Sequence, residues 1–258
     1  MRITLAQTSI IPGEPKHNFY NAVKLITQAS ELASNIIVLP ELWSSGYRFK
    51  SLEYITREND VYINELANIS KEKQIHIAGS VIQHNGGRYT NSFIVFYPDG
   101  SPPLKYEKIH LFRLMKEDHW LSPGNELTSG ALGTSKIGLA ICYDLRFPLM
   151  FTRYMEQNVV LVLLCAEWPI SRIDQWKTLL SARALENQYF LAAANAVGTV
   201  GRETFGGNSA VLNPWGRTLV SGDEKNEALL SIDIDLSEVE RIRQEFPVVY
   251  DRRPDIYG

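Results

Sequence analysis

Short apolar runs alternate along the chain with longer stretches whose apolar residues recur every three or four positions, the pattern of strands separated by helices. Residues 2–8 and 36–39 are predicted strands. Between them Phe19, Ala22, Val23, Ile26, Ala29 and Ala33 mark a helix to about Ser34, with Asn18 as its cap. A second helix is predicted over 60–73. A hairpin of 75–83 and 89–97 follows, turning at His84-Asn85-Gly86-Gly87, and then a further strand over 104–108. Residues 113–135 have no clear period and read as a long loop, a kind of segment that often carries function.

The stretch KIGLAICYDLRFP (136–148) predicts a buried strand through Ile137, Leu139 and Ile141, with Pro148 suited to the first turn of a helix over 148–157. Cys142 then sits at a strand-to-helix junction, which resembles the nucleophile elbow of hydrolases. A second reading is open here, because most free cysteines are simply small buried hydrophobes. The apolar run 159–165 predicts a strand covered on both faces, ending at Cys165. A helix over 171–187 follows, with Ser171 as a possible cap, then an apolar strand over 190–197. The alternation next gives way to a meander over 208–212, 217–220 and 229–234, and a last helix over 236–245. The tail 246–258 is too apolar for a solvated end and is expected to dock on the body or on a second subunit.

With 258 residues, 45% of them hydrophobic, the chain is long enough for a sizeable core, and nothing divides 1–258 into more than one α/β domain. A net charge of −3 with no basic block argues against nucleic acid or an anionic membrane as partner and favours a small polar substrate. Two cysteines make neither a disulfide framework nor a CxxC metal pair, so a reducing cytoplasm is the expected location. The N-terminal segment lacks a secretory signal's apolar core, and no apolar run reaches the roughly eighteen residues of a membrane span.

Three reactive groups, Glu41, Lys108 and Cys142, fall at or near the ends of predicted strands, where ligands gather in open α/β sheets. Singly each is ambiguous: a carboxylate at a strand end is commonly exposed and a lysine commonly reaches solvent. Together they make a chemical set. The carboxylate can take the thiol proton, and the ammonium can stabilise the thiolate and the oxyanion formed on carbonyl attack. A Cys–His pairing is the rival, with His110 the nearest candidate of the five histidines and no orienting partner evident for it. Dinucleotide-binding, Walker and zinc-protease motifs are absent.

The stretches PELWSSGY (40–47), YEKIHLF (106–112), EDHWLSPGN (117–125), ICYDLRFP (141–148), ARALENQ (182–188) and NPWG (213–216) resemble, in order, those of the nitrilase or carbon-nitrogen hydrolase superfamily, closest to its omega-amidase branch. The resemblance implies a four-layer αββα sandwich, a homodimer, and hydrolysis of a small amide with no cofactor or metal. It implies Glu41 as general base, Lys108 as oxyanion donor, Cys142 as nucleophile, and Glu117 as a second glutamate positioning substrate or water. The interval from Lys108 to Glu117 is short for the family, and Asp118 is adjacent. The backbone N–H of Tyr143 is the expected second oxyanion donor. The segment Glu167-Trp168-Pro169-Ile170-Ser171-Arg172 follows the strand ending at Cys165 and should open toward the same site. There Arg172 either reads a substrate carboxylate or is solvated, while Glu167 either pairs with it or favours a substrate amino group.

Overall fold

In the computed structural model, which describes residues 1–256 in full and Tyr257 by its backbone, two six-stranded sheets pack face to face between two layers of helices. The first sheet has the order β14-β1-β2-β3-β4-β5. Its strands are β1 (Arg2–Gln7), β2 (Ile36–Val38), β3 (His76–Asn85), β4 (Arg88–Phe96), β5 (Leu104–Glu107) and β14 (Ala228–Asp233). The second has the order β13-β12-β9-β8-β7-β6. It is built from β6 (Ser129–Leu132), β7 (Ser135–Ile141), β8 (Leu161–Ala166), β9 (Phe190–Asn195), β12 (Ala210–Leu212) and β13 (Thr218–Ser221). In each sheet three central strands run parallel, β1 with β2 and β3, and β7 with β8 and β9.

Alternating side chains explain the layers. Ile3, Leu5, Ile36, Val38, Phe93 and Val95 face inward to meet Leu139, Ile141, Leu163 and Ala192 of the other sheet in one core. Their neighbours Ala6, Ile37, Ile77 and Ile94 face outward and are covered by Phe19, Ala22 and Ile26 of α1 (Pro15–Glu31) and by Tyr62 and Leu66 of α2 (Leu52–Lys73). Over the second sheet lie α3 (Pro148–Glu156) and α4 (Ile173–Asn187), with Phe151, Tyr154, Trp176 and Leu180 buried. The result is the four-layer αββα sandwich expected from the sequence.

Several boundaries differ from the periodicity. Helix α1 begins at Pro15, a residue pre-set for a first helical turn. Asn18 is buried inside it, bonding the main chain of Ile11 and Ser44 instead of capping. Helix α2 starts eight residues before the predicted 60, because Leu52, Ile55, Thr56 and Asn59 extend its buried stripe. Ser171 lies in a short 3-10 turn (Ile170–Arg172), and α4 starts only at Ile173. Within the predicted loop, β6 pairs with the start of β7, and a further hairpin of β10 (Val197–Val200) and β11 (Glu203–Gly206) follows β9. Their short, small-residue sequences carry too little alternation to read as strands. After α5 (Glu238–Glu245), Phe246 stacks on Trp215 and accepts a hydrogen bond from Gln188, Arg252 pairs with Glu156, and α6 (Pro254–Tyr257) closes the described chain. Gly258, the last residue of the tail singled out in the sequence, lies outside the described residues.

Candidate active site

Parallel strands send their carboxyl ends to one rim of the sandwich. Glu41 follows β2, Lys108 follows β5, Cys142 follows β7 and Glu167 follows β8. All four side chains are buried there, although Glu41 and Glu167 are 126 residues apart and the backbone N–H of Glu167 donates to Glu41 Oε2 at 3.0 Å.

Lys108 is the hub. Its Nζ donates to Glu41 Oε1 and Glu117 Oε2, each at 2.7 Å, and to the Tyr47 hydroxyl at 3.2 Å, and all three charged side chains have no solvent exposure. Burial alone would lower the ammonium's pKa, but the two carboxylates raise it well above the ordinary lysine value, so it stays charged. Glu41 Oε1 also accepts from the Tyr47 hydroxyl and the Asn91 amide, both at 2.9 Å. Glu117 accepts from the Asn91 amide at 3.1 Å and from the Phe112 N–H at 2.7 Å. Burial raises the Glu117 pKa despite its contact with Lys108. The neighbouring Asp118 is partly exposed and 4.0 Å from Arg113, so the buried partner of Lys108 is Glu117.

Cys142 has φ +43°, a left-handed conformation rare outside glycine, and starts a 3-10 turn over Cys142–Arg146. The carboxylate of Asp144 fixes this elbow. Its Oδ2 accepts from the Ile141 N–H at 2.9 Å and the Tyr106 hydroxyl at 2.7 Å, while its Oδ1 holds the N–H and Nδ1 of His110 at 3.2 and 2.7 Å. His110 therefore has an orienting partner that the sequence did not reveal, and its ring stacks on Phe147 with centroids 3.6 Å apart. Burial, then the negative charge of Glu41 to which the thiol can donate, pushes the Cys142 pKa well above its ordinary value. The resting group is a neutral thiol, and a nearby base must remove its proton as it attacks.

Phe112, Cys142, Tyr143, Arg146, Trp168, Pro169 and Arg172 wall a tight recess with room for about one water-sized molecule. Two guanidinium groups border it. Arg146 lies 4.8 Å over the Trp168 ring and donates to Gln175, and Arg172 lies 5.8 Å from the Phe112 ring centroid. Trp168 is fixed from behind, its ring N–H donating to the Arg172 carbonyl at 2.9 Å. Glu167 does not wall the recess. Its carboxyl oxygens make no well-formed hydrogen bond and no ion pair with Arg172, the backbone N–H of Tyr47 being the one weak donor near them among the described residues. Asn91, Asp144 and Arg146 were not singled out from the sequence. Only the DLR that follows Cys142 carried a signal for the last two.

The carbon-nitrogen hydrolase family matches residues 2–244. The 2-oxoglutaramate amidase of Bacillus subtilis (strain 168) is 36% identical over 257 residues, covering 99% of this chain and 98% of that one. A carbon-nitrogen hydrolase superfamily protein of Xanthomonas campestris, solved with an arsenic adduct in its active site, superposes with a TM-score of 0.92 at 29% identity, over 98% and 97% of the two chains. An amidase variant from Nesterenkonia sp. AN1, whose active-site cysteine carries the acetamide moiety of fluoroacetamide, superposes at 0.89 with 25% identity, over 100% and 95%. By sequence over nearly its whole length and by fold, the chain belongs to the carbon-nitrogen hydrolase family.

Proposed function

We propose that the protein is an omega-amidase, releasing ammonia from the terminal amide of a small dicarboxylic acid monoamide such as 2-oxoglutaramate. The observation that carries the reading is a single buried ammonium, Lys108, held at 2.7 Å by both Glu41 and Glu117 beside a cysteine on a left-handed elbow. Its resemblance to the 2-oxoglutaramate amidase of Bacillus subtilis supports the substrate class. So do the two arginines at the recess, since a guanidinium can grip a carboxylate through two parallel hydrogen bonds.

In this mechanism Glu41 takes the Cys142 proton as the sulfur bonds the amide carbon. The carbonyl oxygen becomes an oxyanion held by Lys108 Nζ and the N–H of Tyr143, which in the first turn of a helical segment has no intrahelical acceptor. Glu41 returns the proton to the amide nitrogen, the carbon–nitrogen bond breaks, and ammonia leaves a thioester. Water then loses a proton to Glu41 and bonds the same carbon. The carbon–sulfur bond breaks, the sulfur regains its proton, and a carboxylic acid departs. Glu117 holds Lys108 and orients the amide or the water. The reaction as written consumes only water. Ammonia release from 2-oxoglutaramate, compared with nitriles and N-carbamoyl amino acids, tests the reading. Preference for either of the last two would replace it.

We also read the assembly as a homodimer in the cytoplasm. The exposed apolar side chains of Leu149, Leu185 and Phe246 on α3, α4 and the tail support a second copy covering that face, which sedimentation would show. Two free buried cysteines fit a reducing compartment. No helix among the described residues is long and apolar enough to cross a membrane.

A further inference from the structure

The rim holds three buried carboxyl groups and one ammonium, and hydrogen bonding divides the carboxyls sharply. Glu41 receives four donors, from Tyr47, Asn91, Lys108 and the Glu167 N–H. Glu117 receives three. Glu167, 1% exposed, receives no well-formed hydrogen bond at either oxygen among the described residues, the backbone N–H of Tyr47 being the one weak donor near it. Its carboxyl is packed against the main chain of Gly46, where φ is +54° and a Cβ would come within 3.2 Å of Glu167 Oε1. An ionised carboxylate removed from water without a donor is prohibitively costly, and such a group keeps its proton instead.

We propose that Glu167 is a positioning residue that works as a protonated carboxylic acid behind Glu41, keeping Glu41 the anionic partner of Lys108 and the acceptor of the Cys142 proton. The inference rests on the amidase reading of the same site. If all three carboxyls were ionised against one ammonium, the enclosed site would carry two net negative charges. The extra charge would oppose both the thiolate and the oxyanion that acylation must form. With Glu167 neutral, the net charge is a single one, and it resides on the two carboxylates that have donors. The groups facing Glu167 from the surrounding elements are Glu41, Tyr47, Lys108 and Glu117. Burial, then the charge of Glu41, raises the Glu167 pKa well above its ordinary value, in keeping with this geometry.

Infrared spectroscopy of the whole enzyme locates the proton. The wild-type protein is expected to show a protonated-carboxyl C=O band at neutral pH that Glu167→Gln removes. Absence of that band from the wild type overturns the proposal. Raising the pH tests the role. Turnover should fall only as the band is lost, and in Glu167→Gln the alkaline fall should move up by about a pH unit or more, a tenfold change in the titrating equilibrium. A wild-type rate that falls before the band is lost, or stays level after it is lost, overturns the role. Superimposable alkaline limbs in the two proteins do the same. Where Glu167→Gln does not fold, the relation between band and rate in the wild type decides. If no amide proves to be a substrate, the amidase reading fails by itself, and alkylation of Cys142 by iodoacetamide replaces turnover as the rate.

Discussion

His110 places its Nδ1 2.7 Å from Asp144 Oδ1, so this histidine braces the turn beneath Cys142. Its bond to Asp144 and its stack on Phe147 give the ring a structural task, and the group facing the thiol is the Glu41 carboxylate. The Cys–His arrangement considered from the sequence is not built here.

Asp144 is therefore expected to matter more for stability than for chemistry. Replacing it with Ala strands the buried Ile141 N–H and Tyr106 hydroxyl without an acceptor, at roughly 1–3 kcal/mol each. Urea unfolding of Asp144→Ala should show a loss of about 2–5 kcal/mol. A loss under about 1 kcal/mol would mean that the elbow is held by other contacts.

Cys142→Ala is expected to lose turnover on the order of a thousandfold or more while its melting stays close to wild type, since only one sulfur atom is removed. Cys165, on β8 and wholly buried, is expected to tolerate Ala with activity retained and about 1 kcal/mol of stability lost to the cavity. Inactivation by the Cys165 change, with Cys142→Ala still active, would place the nucleophile on the wrong strand.

The two arginines at the recess separate substrate grip from chemistry. Arg172→Ala and Arg146→Ala should each weaken kcat/KM for 2-oxoglutaramate selectively over an uncharged aliphatic amide. The expected scale is about 2–5 kcal/mol, toward the lower end for both because each arginine is only partly buried. An equal, small effect on both substrates would move carboxylate recognition to another residue.

Glu167 should also leave a mark on stability. The unfolded chain releases its proton near the ordinary value of 4.5, while the folded protein keeps it to much higher pH. Above that ordinary value the folded state thus binds more protons, and its stability falls as pH rises, by up to roughly 1.4 kcal/mol per unit for one proton. Glu167→Gln has no such proton to lose. Its melting temperature relative to wild type should climb steadily between about pH 5 and 8. A difference that does not vary with pH would show that Glu167 is not the proton-bound group.

The strands that carry the site were legible because their chemistry is local. Ile137, Leu139 and Ile141 alternate, the run ends at Cys142, and Pro148 restarts the chain as a helix. Glu41 and Lys108 stood out for the same reason, each at the end of an apolar segment. The sequence by itself thus determined the alternation of strands and helices, through their periods, and which reactive groups lie at strand ends, while its six family stretches implied the αββα sandwich. Tertiary structure alone decided how those groups are held. Asn91 sits mid-strand in β4, and nothing local marks it as the amide that joins Glu41 to Glu117. Glu117 and Asp118 are adjacent carboxylates in the sequence, where only the family resemblance favours Glu117, and the fold buries it and leaves Asp118 near solvent. Leu42, Lys116 and Cys142 take left-handed φ without being glycine, a strain that local propensity disfavours and the surrounding packing imposes. The state of Glu167 is of the same kind. Whether a carboxyl keeps its proton depends on the donors and charges around it, and here those arrive from segments up to 126 residues away.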